Sequence, residues 1–191
     1  MSEWPSFTKE EARKVSNVLL SNKVNYWTGN EARKFESEFA IFSNVSYAVA
    51  VSNGTAALEL ALKAIGIKAG DEVIVTPRSF IASVSSVVLF GAKPVFADVD
   101  INSGNITLET IRKVVSKKTK AIICVHLAGY PCDMVEIVRY AKSKSIKVIE
   151  DCSQAHGAKI KNKSVGSFGD LGTWSFCQDK IISTGGEGGI I

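Results

Sequence analysis

A chain of 191 residues has room for one sizeable folded domain, and 46% hydrophobic with 22% charged residues excludes a disordered segment. The formal net charge of +4 comes from basic residues scattered among acids. The densest basic cluster is Lys117-Lys118-Thr119-Lys120, and no basic stripe interleaved with aromatics appears, which argues against nucleic acid.

Met1 to Pro5 shows no basic region leading into an apolar one, so no secretion leader is expected. Thr8-Lys9-Glu10-Glu11 has the form of a capping box and predicts a helix to about Leu20. Asn30 is placed to cap a second helix with Phe35 and Phe39 on one face. Residues 1–42 read as an N-terminal helical segment and 43–191 as a βαβ core in a single domain. From Tyr47 the rhythm changes to short apolar runs: 47–51, 72–76, 94–98, 121–125, 147–150, 172–176 and 188–191. They read as strands buried on both faces, with helices beginning near Gly54, Phe80, Thr107 and Asp133 between them. The expectation is a three-layer α/β/α fold with a mostly parallel seven-stranded sheet. The most apolar stretch, Ile81 to Gly91, is too short and too interrupted by serine to span a bilayer. The chain stops at Ile190-Ile191 inside the seventh run, so it is expected to be truncated within its last strand, without a C-terminal small domain. Cys124, Cys132, Cys152 and Cys177 form no CxxC pair, and only His126 and His156 could join them, which argues against zinc. They read as reduced, mostly buried residues of a cytoplasmic protein.

In an open parallel sheet, ligands bind beyond the carboxyl ends of the strands, so the residues following each strand carry the chemistry. After the first strand, Gly54 and Thr55 open a helix and offer amides, a hydroxyl and the positive end of the helix dipole to a phosphate; an ordinary helix cap is the alternative. After the second comes Phe80, which could lie on a cofactor ring or be a core phenylalanine. Asp151 ends the fifth strand. A carboxylate there could hold a pyridine nitrogen protonated, or be a helix N-cap or a buried salt bridge. Gln154 could reach such a ring's phenolic oxygen or flank the ring. Ser175 could add its hydroxyl to the phosphate cup. Lys180, ahead of Gly185-Gly186-Glu187-Gly188-Gly189, is a candidate Schiff-base lysine, with a solvated surface lysine as the alternative. All of these groups fall at one edge of one sheet. Together they are what pyridoxal 5′-phosphate (PLP) requires of a protein.

These residues lie in ordered motifs along essentially the whole chain: Tyr26-Trp27-Thr28-Gly29, Ser52-Asn53-Gly54-Thr55-Ala56-Ala57, Gly70-Asp71-Glu72-Val73, Val148-Ile149-Glu150-Asp151, Gln154-Ala155-His156-Gly157-Ala158 and Gly186-Glu187-Gly188-Gly189. The sequence resembles the DegT/StrS-type nucleotide-sugar aminotransferases, PLP enzymes of the aspartate-aminotransferase fold. The resemblance implies that Lys180 is the Schiff-base lysine and Asp151 the pyridine partner. It places Gln154 near the ring hydroxyl, Phe80 on the ring, and Gly54, Thr55 and Ser175 at the phosphate. It also implies a nucleotide-linked keto-sugar and an amino-acid donor, glutamate, as substrates, a homodimer, and a sheet whose seventh strand is antiparallel. Three rivals stand beside it. A sugar dehydratase of the same family carries histidine in place of the lysine, so Lys180 argues against it. A non-catalytic remnant is suggested by the end at Ile191. A nicotinamide enzyme would want GxGxxG after the first strand, and none is there. His156 and Glu187 lie near the expected site without an assigned role; a hydrogen-bonded core histidine is an equal alternative for His156.

Overall fold

The computed structural model describes residues 4–191. The absence of a leader is read partly from Met1–Glu3, which lie outside the described residues. No helix among the described residues is long and apolar enough to cross a membrane.

The N-terminal helices form as the capping signals require. In α1 (Lys9–Leu20) Thr8 accepts from the Glu11 amide and the Glu11 carboxylate accepts from the Thr8 amide. Asn30 stands at the N-cap of α2 (Glu31–Ser43), but its side chain makes no capping hydrogen bond because its backbone is already helical. The face of α2 carrying Phe35 and Phe39 packs edge-on against Trp174 and Phe176, with ring centroids 5.1 Å apart for both Phe39–Trp174 and Phe35–Phe176.

Seven strands form the main sheet: β1 (Ala50–Val51), β2 (Glu72–Val75), β3 (Lys93–Phe96), β4 (Thr119–Val125), β5 (Lys147–Asp151), β8 (Leu171–Ser175) and β9 (Gly189–Ile190). Their order is β1-β9-β8-β5-β4-β2-β3. The pairs β2–β3, β2–β4, β4–β5 and β5–β8 are parallel, and β9 runs antiparallel to both β8 and β1. The fold is therefore the expected one, a mostly parallel sheet between helical layers. α3 (Gly54–Ala64) and α4 (Ala82–Leu89) cover one face, where Leu58, Leu62 and Val87 meet Val73, Val75, Ile123 and Ile149. α5 (Leu108–Val114) and α6 (Met134–Ser143) cover the other, where Ile111 and Ile137 meet Ile74, Ile122 and Val148.

Two expectations need correction. The first and third runs are not buried on both faces. β1 and β3 are the edges of the sheet, and Tyr47 and Phe96 beside or within them are exposed. A hairpin of two-residue strands, β6 (Lys159–Ile160) and β7 (Lys163–Ser164), lies outside the main sheet and leaves no periodicity to read in Lys159–Ser164.

That hairpin delivers the loop 165–169 to the end of β5, where Glu150 is fully buried. Its Oε2 accepts from the Gly166 amide at 2.9 Å and from His126 Nε2 at 3.0 Å; Oε1 accepts from the amides of Phe168 and Gly169, both at 2.7 Å. His126 Nδ1 accepts from the Cys132 amide at 3.1 Å, so the ring proton sits on Nε2 and points at the carboxylate. Gly166, at φ +83°, has no space for a side chain: a Cβ would stand 2.1 Å from the Trp174 ring. His126, Glu150 and Cys152 bring potential metal-ligand atoms within 4.8 Å of one another. Yet both carboxylate oxygens and both ring nitrogens already have partners, and burial pushes the Cys152 thiol up to about 12, so it stays protonated. The cluster is a hydrogen-bonded buckle between β4, β5 and the 165–169 loop. Replacing Glu150 by Ala strands His126 and three amides, that of buried Gly166 and those of half-buried Phe168 and Gly169. The expected cost is about 3–5 kcal/mol, from several hydrogen bonds to one buried carboxylate lost together, read as a lower urea midpoint or failure to fold.

Candidate active site

The end of β4 and the residues at and after the ends of β1, β2, β5 and β8 converge on one cavity of about 460 Å³, within the size range of small-molecule sites. Gly54, Thr55, Phe80, Asp151, Gln154, Ser175 and Lys180, all seven of the sequence-derived candidates, line it. They arrive on four separate segments because β1, β2, β5 and β8 all end at the same edge of the sheet.

Asp151 is the most constrained of them. It is 5% exposed, and no ion pair with it is found among the described residues. No helix follows it for it to cap. Both structural alternatives for this residue therefore fail. Its Oδ1 accepts from the Ser153 amide at 3.1 Å, and its Oδ2 accepts from Ser83 Oγ at 3.2 Å. These two donors steady the carboxylate and leave acceptor capacity facing the cavity. The alternation along β5 is what separates it from its neighbour: Glu150 points to the buckle and Asp151 to the cavity.

Lys180 lies on the loop after β8. Its side chain is 20% exposed, with Nζ 3.3 Å from Asp179 Oδ2, so it is not a solvated surface lysine. The loop is tied by hydrogen bonds from the Phe176 amide to the Gly188 carbonyl and from the Gln178 amide to the Gly186 carbonyl. Cys177 Sγ donates to Glu187 Oε1 at 3.3 Å, which places Glu187 on the cavity wall.

At the other end, Asn53 caps α3 by accepting from the Ala56 amide at 2.8 Å. The amides of Gly54 and Thr55 precede the first intrahelical bond, from Ala57 to Asn53, and so remain available to an anion. Ser175 Oγ accepts from the Cys177 amide at 3.3 Å, leaving its own proton free to donate. Glycine is required at 54 because a Cβ there would stand 2.7 Å from Ser175 Cβ.

Gln154 Oε1 accepts from the Ala128 amide at 2.8 Å, in a turn where Ala128 has φ +51°. Only the carbonyl end of the amide can accept, so the NH2 end is left to donate. Phe80 is 67% exposed on the cavity rim, and the core-phenylalanine reading of it is wrong. α4 begins at Ala82, two residues later than expected, which leaves Phe80 in the loop.

The profile of the DegT/DnrJ/EryC1/StrS aminotransferase family matches residues 5–191. The chain belongs to this family. It is 49% identical over 187 residues to a GDP-perosamine synthase of Escherichia coli O157:H7, covering 98% of this chain and 51% of that protein. A UDP-N-acetyl-3-dehydro-alpha-D-glucosamine 3-aminotransferase of Acidithiobacillus ferrooxidans is 46% identical over 172 residues, 90% of this chain and 47% of its own. An aminotransferase from Psychrobacter cryohalolentis with a solved structure superposes with a TM-score of 0.98 at 63% identity, over 99% of this chain and 48% of that one. The chain thus spans about half the length of the curated relatives it matches.

The cavity of this family member fits PLP chemically. A steadied carboxylate without a cation suits a pyridinium, free helix amides with a hydroxyl suit a phosphate, and a partly buried amine suits an aldehyde. Sequence reasoning did not single out Ser83. The signal was present: serines recur within the apolar run 81–91, and a hydroxyl in a buried helix face needs a partner.

His156 is buried against Phe176, with ring centroids 5.3 Å apart, and neither ring nitrogen has a hydrogen-bond partner. The hydrogen-bonded core reading is therefore corrected. Burial above all lowers its pKa from 6.5 to about 4, with the Ser175 backbone acting in the opposite direction and the positive charge of Lys180 adding a smaller lowering effect.

Two predictions follow from this geometry. Gly54→Ala, which at an unstrained helix start would stabilise by about 0.4–1 kcal/mol, here forces α3 away from β8 and costs about 1–3 kcal/mol net, measurable by urea unfolding. Below about pH 6.5 the unfolded chain gains a proton at His156 that the folded chain refuses until about pH 4. Stability should therefore fall across that interval, and His156→Asn should make the fall shallower in unfolding midpoints measured against pH.

Proposed function

We propose that the protein is a PLP-dependent aminotransferase that moves an amino group from an amino acid, glutamate, onto a nucleotide-linked keto-sugar. In this reading the chain is the cofactor-binding domain, and its product is an amino sugar for surface polysaccharide. The observation that carries the proposal is the pairing in one cavity of a buried, cation-free carboxylate, Asp151, with a partly buried amine, Lys180. The sugar substrate is supported by the relatives, one named as a GDP-perosamine synthase and another as acting on a UDP-linked keto-sugar.

When bound, PLP supplies the aldehyde that receives the amine and the ring that accepts electrons. The protein's own groups do the rest. Lys180 Nζ would hold the cofactor and, as a free amine, would be the base that carries the donor's α-proton to the cofactor. Asp151 keeps the pyridine nitrogen protonated. The Gln154 NH2 group would donate to the ring's phenolic oxygen, and Phe80 would lie against the ring. The Gly54 and Thr55 amides and Ser175 Oγ would receive the phosphate. A lysine at position 180 favours amino transfer over the dehydratase reading, which substitutes histidine there. The homodimer expectation is supported by α1, which has no buried residue and exposes Val15, Leu19 and Leu20.

The test is to incubate the purified protein with PLP, reduce with borohydride and map the adduct by mass spectrometry. A stable adduct on Lys180 that Lys180→Ala abolishes is expected; a folded protein without the adduct overturns the proposal. Asp151→Asn should leave the fold intact and weaken PLP binding about 10- to 100-fold, the value of one hydrogen bond to a charged group.

A further inference from the structure

Ser83 is fully buried on α4, and its hydroxyl has one proton. Ser86, one turn later on the same helix, uses its proton in the ordinary way, donating to the Ala82 carbonyl at 2.7 Å. Ser83 does not bond back to its helix. It donates across the core to Asp151 Oδ2 at 3.2 Å, 68 positions along the chain. Its oxygen is also 2.8 Å from Ser79 Oγ. Because Ser83 gives its only proton to the carboxylate, Ser79 must be the donor in that second bond. The direction of the chain is thus set from Ser79, which lines the cavity, through Ser83, to Asp151.

We propose that Ser83, supported by Ser79, is a positioning residue that holds the Asp151 carboxyl group aimed at the ring nitrogen, and so sets how strongly the site withdraws electrons from the cofactor. The inference rests on the PLP reading above and deepens it. A carboxylate 5% exposed has lost most of its hydration, so each donor aimed at it favours the charged form. Two donors are present, the Ser153 amide on Oδ1 and Ser83 on Oδ2, and of the two only Ser83 is a side chain. Without Ser83 the shared proton moves from the ring nitrogen towards Asp151. The ring then withdraws less, and the Lys180 nitrogen bonded to the cofactor keeps its proton to higher pH. The bond also runs from α4 to β5, so it fixes the rotamer of Asp151 as well as its charge.

The experiment is a pH titration of the visible absorption of the protein after loading with PLP, comparing wild type, Ser83→Ala and Ser79→Ala. Ser83→Ala should raise the midpoint by roughly 0.5 to 1 pH unit, part of the one to two units that a hydrogen bond to a charged group is worth. Ser79→Ala, at a half-buried position where folding is not at risk, should move it in the same direction by less. A merely structural serine would change stability and leave the midpoint in place. A normal visible band whose midpoint is unchanged in both variants overturns the role of Ser83 and leaves the cofactor reading standing. No visible band in the wild-type protein overturns the cofactor reading itself, and this inference with it.

Discussion

Two adjacent carboxylates at the end of β5 have opposite surroundings, and the site depends on that difference. Successive side chains of a strand point to opposite faces of the sheet, so Glu150 and Asp151 cannot share an environment. Glu150 meets four donors from His126 and the 165–169 loop and is satisfied within the fold. Asp151 meets two and keeps acceptor capacity towards the cavity. Burying a carboxylate is costly unless its lone pairs are used, which makes the first a structural element and the second a binding group.

The Glu150 buckle reaches further than its own residues. It draws the 165–169 loop onto β5 and orients His126 at the end of β4, just before the turn at Leu127–Gly129. That turn presents the Ala128 amide to Gln154, so the orientation of Gln154 depends on the backbone that the buckle anchors. The close approach of α3 to β8 at Gly54 and Ser175 has a similar reach. It brings helix amides and a hydroxyl to the same end of the cavity. Binding groups on four loops keep a common geometry because each loop is tied to a strand end that the core holds rigidly.

The PLP-dependent reading and the role given to Ser83 make the same physical claim. A buried anion in a cavity needs donors enough to remain an anion, yet not so many that it has nothing left for a ligand. Asp151 has one donor from its own turn and one from a helix on the face opposite Glu150, with acceptor capacity left for a ligand.

Much of this was legible in the residues. The apolar runs and intervening helices dictated a mostly parallel sheet, because strands buried between two helical layers must be apolar throughout. Strand ends in such a sheet share an edge, so Gly54, Asp151, Ser175 and Lys180 could be grouped before any contact was known. Local hydrogen bonding was legible too where donor and acceptor lie three residues apart, as at Thr8–Glu11 and Asn53–Ala56. Tertiary structure alone decided which strands were edges, that Glu150 and not Asp151 is the saturated carboxylate, that Phe80 is exposed on a rim, and that Ser83 bonds to a residue 68 positions away. Strand pairing and long-range hydrogen bonds have no period and no fixed spacing. Hydrophobic pattern determines which face of an element is buried, but only the packed core determines which buried polar groups meet.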